Sequence, residues 1–296
     1  MTLLRKNMLE ELQRRNYTPE TARGYILAVK QFAEYIGKPP DLMGAEEVRR
    51  YQLHLINEKK LAPSTVKTRM SALRFFYSKT IKRRDLNFDD MPFPKTPQKL
   101  PTVLSPDEVT RLINAASNLM HRTILMVLYG TGMRRTEVRM LKVEDIDSER
   151  MVIHIRKGKG SRDRDVPLTP KLLKTLRQYY RWKKPRSFLF PSTSGSLGEE
   201  QPISGKTVWN ICSAAAKRAG LSKKVGPHTL RHSYATHLIE AGTDLRTIQL
   251  LLGHARLEHT LVYLHISRRH LQAAVNPLDQ LDLQENIYLS QEDDLS

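Results

Sequence analysis

The residues able to do chemistry lie in four stretches, and most of them carry or can take a positive charge. In "GPHTLRHSYATH" (226–237), His228 and Arg231 stand three residues apart, so a helix places them on one face. In "YGTGMRRTEVRMLKVEDID" (129–147), Gly130 and Gly132 precede a helix start bearing the adjacent pair Arg134 and Arg135, with Glu137 spaced to hold one guanidinium. A helix N-terminus and arginines both favour a bound anion. "RKGKGSRDRDVP" (156–167) sets Lys159 between two glycines at a turn, where the backbone can come close to a ligand. "LLGHARLEHTLVYLH" (251–265) contributes His254 and Tyr263.

Taken singly, each feature has a plain structural reading: a C-cap glycine, a turn lysine, a packed tyrosine. Together they suit one reaction, attack of a tyrosine hydroxyl on a phosphodiester. Arginines grip non-bridging oxygens bidentately and stabilise the pentacovalent transition state. A phenol ionises near a pH of about 10, so it needs a cationic field and a base. The leaving alkoxide needs a proton, which a lysine can supply. A carboxylate beside the phosphate would repel it, and none stands between His228 and Arg231.

A metal site is the competing reading. His228 and His232 have the i, i+4 spacing of a zinc helix, but position 229 is Thr where a general-base glutamate would stand. With one cysteine, Cys212, a cysteine-based zinc site and an internal disulfide are both excluded. The expectation is no metal and no cofactor, with His232 and His237 as packed structural histidines.

These residues need elements to position them. Residues 1–88 read as all-helical. Thr18, Pro19 and Gly37 supply the cap, first turn and stop of one helix, and another runs over about 44–59. In "APSTVKTRMSALRFFYSKTI", Val66, Met70, Leu73 and Tyr77 fall at helical spacing and face a core. Lys67, Arg69, Arg74 and Lys79 take the remaining surface, as a phosphate-contacting face or a solvated flank. "FDDMPFPKTPQKLPTVLSP" is too proline-rich for helix or ladder and reads as a linker. The divisions are 1–90, a linker over 91–101, a second domain over 102–275 and a tail over 276–296. The second domain opens with a capping box, Ser105 to Glu108. It continues helical to about 141, forms a β-hairpin from "MVIHIR" and "RDVPL", and resumes helices near 170–184, 204–219, 228–241, 244–252 and 257–265.

The net charge is +18. Residues 1–100 hold 20 Lys+Arg against 11 Asp+Glu, residues 101–275 hold 29 against 14, and residues 276–296 hold none against 6. Two basic bodies with an acidic tail point to a polyanionic partner, nucleic acid above all. No run of apolar residues is long enough to span a membrane, and the N-terminus is a charged amphipathic helix. A reducing cytoplasm suits the single cysteine.

At this point the sequence resembles the tyrosine recombinases of the phage-integrase and Xer type. "TGMRRTEVRMLKVEDID" is similar to the family's first box, "GKGSRDRDVPL" to its β-hairpin box, "PHTLRHSYATHLIEAGTDLRTIQLLLGH" to its second box, and "HTLVYLH" to the segment bearing the nucleophile. The resemblance implies Arg134, Lys159, His228, Arg231, His254 and Tyr263 as catalytic residues. Glu137 supports Arg134, and Lys159 is the general acid. Arg135 stands where the family usually carries an apolar residue. It joins Lys67, Arg69, Arg74, Lys79 and Arg162 as expected DNA contacts. The implied fold is mainly α: a four-helix SAM-like core-binding domain, then an α-rich catalytic domain with a small antiparallel β-hairpin or sheet. The implied partner is double-stranded DNA with inverted half-sites, bound by a homotetramer assembled from free monomers, in a prokaryotic cytoplasm at the nucleoid. Strand exchange would pass through a 3′-phosphotyrosyl link and a Holliday junction without metal or ATP. The acidic tail reads equally as a segment docking on a neighbouring protomer or as a solubilising extension. A type IB topoisomerase and a non-catalytic DNA-binding regulator on the same fold remain alternatives at this point.

Overall fold

The structure, a computed structural model, describes residues 2–83, 92–95, 100–156, 163–192 and 200–264. Two units are present, Met1–Lys99 and Leu100–Ser296.

The first unit is built from α1 (Leu3–Arg14), α2 (Pro19–Ile36), α3 (Ala45–Asn57) and α4 (Pro63–Phe75), the last running into a π-helical turn at Phe76–Thr80. Thr18 caps α2 by accepting from the Thr21 N–H at 3.3 Å, and Gly37 ends it in the left-handed conformation. Val66, Met70, Leu73 and Tyr77 are buried together with Leu12, Phe32, Val48 and Leu55, as the helical spacing requires. Lys67, Arg74 and Lys79 are exposed. Arg69 departs from that open set. It is half-buried, and its Nη1 donates to Tyr51 Oη at 3.2 Å, which ties it to α3.

The second unit begins with α5 (Pro106–Asn114), whose capping box is closed in both directions between Ser105 and Glu108. Next come α6 (Leu119–Thr131), α7 (Arg135–Met140), a three-stranded antiparallel sheet, and α8 (Pro170–Lys183). The helices α9 (Gly205–Arg218), α10 (Pro227–Glu240), α11 (Leu245–Leu252) and α12 (Glu258–Leu261) complete it. In the sheet, β2 (Val152–Ile155) and β3 (Arg164–Pro167) form the expected hairpin, with Ile153 opposite Val166. A third strand, β1 (Ile146–Asp147), pairs with β2 and was not expected. Two residues are too few for a readable alternation. The turn into β2 is made by Asp147, whose Oδ1 accepts from the backbone of Glu149 and Arg150.

The apolar α6 is the buried axis of this unit. Ile124, Leu125 and Leu128 are fully buried among Ile153, Val166, Tyr179, Phe190 and Val208. A smaller cluster joins Ala235 and Ile239 of α10 to Ile248 and Leu252 of α11 and to Tyr263. The last helix is shorter than the expected 257–265; after Leu261 the chain continues in turns to Leu264. Among the described residues no helix is long and apolar enough to cross a membrane. The acidic tail lies outside the described residues.

Candidate active site

Three consecutive carbonyls at the end of α11 each take one arginine. A helix leaves its last carbonyls without intrahelical partners, and the dipole puts negative charge there. Gly253, at φ +62°, closes α11 and turns the chain away. The Leu251 carbonyl accepts from Arg164 Nε at 2.8 Å, that of Leu252 from Arg231 Nη2 at 2.7 Å, and that of Gly253 from Arg134 Nη2 at 2.7 Å.

Each arginine has a second anchor. Arg231, on α10 and 4% exposed, also donates through Nη1 to the Gly132 carbonyl at 2.7 Å. Gly132 ends α6 at φ +61°, and a Cβ there would lie 2.5 Å from the Tyr234 ring and 2.9 Å from Leu252. Arg134, at the cap of α7, donates through Nη1 to Glu137 Oε1 at 2.7 Å, and its backbone N–H donates to Glu137 Oε2 at 2.8 Å. Arg164, from β3, reaches the same carboxylate with Nη1 at 3.0 Å and Nη2 at 2.8 Å, the bidentate fork that suits a buried carboxylate.

Burial pushes the Glu137 carboxyl up, but the hydrogen bonds and charge of Arg164, followed by those of Arg134, outweigh it and hold the group down to about 2. Burial, then repulsion from Arg134, lowers Arg231 to about 10, so it stays protonated at neutral pH. One carboxylate against three guanidiniums leaves a cationic pocket whose arginine planes are fixed before any ligand arrives.

Tyr263 forms one wall. It is 2% exposed, and its Oη is hydrogen-bonded to His232 Nδ1 at 3.0 Å. Burial raises its phenol above the ordinary value, against the pull of Arg231 and Arg134. The His254 ring stacks parallel to that of Tyr263, with centroids 6.3 Å apart, and its Nδ1 pairs with Thr260 Oγ1 at 2.9 Å. Burial, then Arg231 and Arg134, hold His254 down to about 3. His228 opens α10 one turn before His232, their rings 6.4 Å apart, and desolvation followed by Arg231, Arg135 and Arg134 lowers its pKa. His232 is held down to about 4 by burial and then by His228 and Arg231.

The structure therefore gathers Arg134, Glu137, His228, Arg231, His254 and Tyr263 around one pocket. Lys159 and Arg162 lie outside the described residues. Arg135 is exposed, its side chain beside Gly205 at the start of α9, so of the adjacent pair Arg134 is the one turned inward. His237 matches its expected structural role, bonded to Tyr129 Oη at 2.9 Å.

His232, expected as a packed structural histidine, is half-buried like His237 and is bonded to the hydroxyl of Tyr263. The i, i+4 spacing from His228 was its visible signal, since that spacing shares a helix face. Arg164 was missed altogether. Its signal was strand alternation: residues two apart share a face, and Arg164 precedes the buried Val166 by two. Among the described residues no three His, Cys, Asp or Glu side chains converge into a metal-binding group.

Such a pocket can bind a phosphate dioxygen unit between arginines and present a phenol to it. Comparison with known proteins agrees with this class. Residues 102–270 match the model of the phage integrase family, and residues 4–85 match the phage integrase N-terminal SAM-like domain. A Sinorhizobium fredii sequence, itself named provisionally as an integrase/recombinase, is 46% identical over 95% of this chain and 90% of its own. The tyrosine recombinase XerA of Pyrococcus furiosus is 34% identical over 94% of this chain and 96% of its own. Among solved structures, an XerA recombinase crystal structure is similar at 31% identity and a TM-score of 0.54, covering 91% of this chain and 95% of that one. The XerH site-specific recombinase in its post-cleavage complex with palindromic difH substrate shares the fold at a TM-score of 0.68 and 24% identity, covering 87% of this chain and 80% of that one. The chain belongs to the phage integrase family, the tyrosine recombinases, and is a DNA strand transferase of the site-specific recombinase type.

Proposed function

We propose that Tyr263 is the nucleophile of this enzyme and that it joins covalently to the 3′ side of a scissile phosphate in double-stranded DNA. The observation that carries the reading is that buried Tyr263 shares a cluster with Leu252, whose carbonyl immobilises Arg231 while the next carbonyl, that of Gly253, immobilises Arg134. Preorganised donors stabilise the charge that develops on phosphate oxygens without reorganising during the reaction.

Arg134 and Arg231 bind the non-bridging oxygens, with His228 and His254 adding donors. Glu137 positions Arg134. Lys159 protonates the 5′-oxygen as it leaves, and no metal or ATP is consumed because the phosphotyrosyl link retains the bond energy. A 5′-hydroxyl from a second duplex then attacks that link. Repeating the exchange on the other strand passes through a Holliday junction.

The substrate is a site of two inverted half-sites, occupied pairwise by a homotetramer that assembles from monomers on DNA. Residues 1–90 and 102–275 act as core-binding and catalytic domains joined by 91–101. Lys67, Arg74 and Lys79 in the first and Arg135 and Arg162 in the second contact phosphates. Arg69 supports that surface through Tyr51. The enzyme works in the cytoplasm at the nucleoid.

The test is a nicked duplex carrying a core site selected by binding from random sequence, incubated with the protein in EDTA. A denaturation-resistant adduct is expected with wild type and none with Tyr263→Phe. An adduct formed by Tyr263→Phe, or one that requires magnesium, would refute the assignment.

A further inference from the structure

The attack proposed for Tyr263 requires its phenolic proton to go somewhere. Among the described residues His228, the family-matched histidine one turn before His232 with its ring 6.4 Å from that of His232, makes no hydrogen bond to the hydroxyl. Glu137 is fully engaged, its two oxygens taking four N–H donors from Arg134 and Arg164. His254 has its Nδ1 paired with Thr260, and its ring lies beside the tyrosine ring rather than at the hydroxyl. Arg231 and Arg134 carry no lone pair to offer. His232 meets the hydroxyl directly, Nδ1 to Oη at 3.0 Å, within the reach a general base needs.

We propose that His232 is a further catalytic residue, the acceptor of the Tyr263 proton during strand cleavage. The inference rests on the strand-transfer reading above and adds a residue to it. The neutral ring with its proton on Nε2 leaves Nδ1 free to accept, and burial, followed by His228 and Arg231, keeps the ring neutral in the resting site. An incoming phosphodiester places negative charge between Arg134 and Arg231, which offsets the field opposing an imidazolium. As the Oη–P bond forms and the P–O5′ bond breaks, the phenolic proton moves to His232 Nδ1, and the 5′-oxygen takes a proton from Lys159. On rejoining, the attacking 5′-hydroxyl returns its proton to Lys159, and Tyr263 regains its own from His232. No proton is lost over the cycle.

Position on α10 supports the assignment. His232 follows Arg231, so the helix that fixes a phosphate-binding guanidinium also fixes the base relative to it. Tyr263 belongs to the same buried cluster as Ala235 and Ile239 of that helix.

The experiment measures single-turnover adduct formation on the nicked duplex, with the scissile 5′-oxygen left normal or replaced by sulfur. A thiolate leaves without needing a proton, so the sulfur substrate isolates the attack from general-acid help. Wild type is compared with His232→Asn, His232→Ala, Lys159→Ala and Tyr263→Phe. The expected result is a loss of about 10²–10⁴-fold in both His232 variants on both substrates, the range general-base catalysis supplies. Duplex affinity should stay within about twofold, and Lys159→Ala should recover on sulfur. Difluorotyrosine at position 263, which ionises more readily than tyrosine, should restore rate to His232→Asn; a merely structural histidine would leave that variant unrescued.

Adduct formation by His232→Asn within about threefold of wild type would overturn the proposal, since asparagine keeps the hydrogen bond and cannot take the proton. Recovery of the His232 variants on sulfur would also overturn it, by placing His232 at the leaving group. If His232→Ala fails to fold, His232→Asn with and without difluorotyrosine decides the matter. Failure of wild type itself to form an adduct removes the strand-transfer reading, and this proposal with it.

Discussion

Replacing Glu137 with Gln removes one negative charge from between two guanidiniums at almost constant volume. The Glu137 side chain is 5% exposed, so water screens the pair little. Its carboxyl lies at about 2 in the folded protein against an ordinary 4.5. That depression corresponds to about 3 kcal/mol of stability, in line with the roughly 3–5 kcal/mol lost when one member of a buried pair is removed. The folded-state value is the lower one, so the stabilisation is complete above the unfolded value and disappears as pH falls through the folded value. Urea unfolding of both proteins should show Glu137→Gln less stable by about 3 kcal/mol at pH 7, with the gap shrinking to about 1–2 kcal/mol at pH 3. Adduct formation should fall by about 10²-fold, because an ångström of freedom in a positioning group costs about that much. A gap below about 1 kcal/mol at pH 7, or one that does not change with pH, would show that the Arg134–Glu137–Arg164 arrangement is not what holds these elements together.

Two further substitutions test the frame around the site. Gly132→Ala forces a side chain into a left-handed position and against Tyr234 and Leu252. It should destabilise by about 2–4 kcal/mol in denaturant melts and slow adduct formation, since the Gly132 carbonyl anchors Arg231. Ser233→Ala removes the buried hydroxyl that accepts from the Leu104 N–H at 2.9 Å. Leaving that donor unpaired should cost about 1–3 kcal/mol, visible in the same melts; a neutral change would mean the entry to the second unit does not depend on it.

Much of the site was legible because its members sit inside local patterns. His228 and Arg231 share a helix face by spacing alone, and Glu137 lies three residues after Arg134, where a helix N-terminus lets a side chain reach back to the cap. The capping box at Ser105, the stop at Gly37 and the buried stripe of α4 were legible for the same reason. They depend on neighbours within a turn or two. Strand alternation puts Arg164 on the face of Val166, but its partner Glu137 lies 27 positions away, and nothing local names it. The contact of His232 with Tyr263 was not legible, because the two lie 31 positions apart.

The sequence by itself determined which chemical groups are available: a phenol, arginines, histidines and a lysine, with a basic surface suited to a polyanion and helices whose periods and caps are written locally. Only the tertiary structure decided that the end of α11 gathers three arginines from positions 119, 87 and 21 residues away. The physical reason is that a helix end presents its unpaired carbonyls to whatever the fold brings beside it. Local spacing specifies the helix and its stop, and packing of the whole unit chooses which charges meet there.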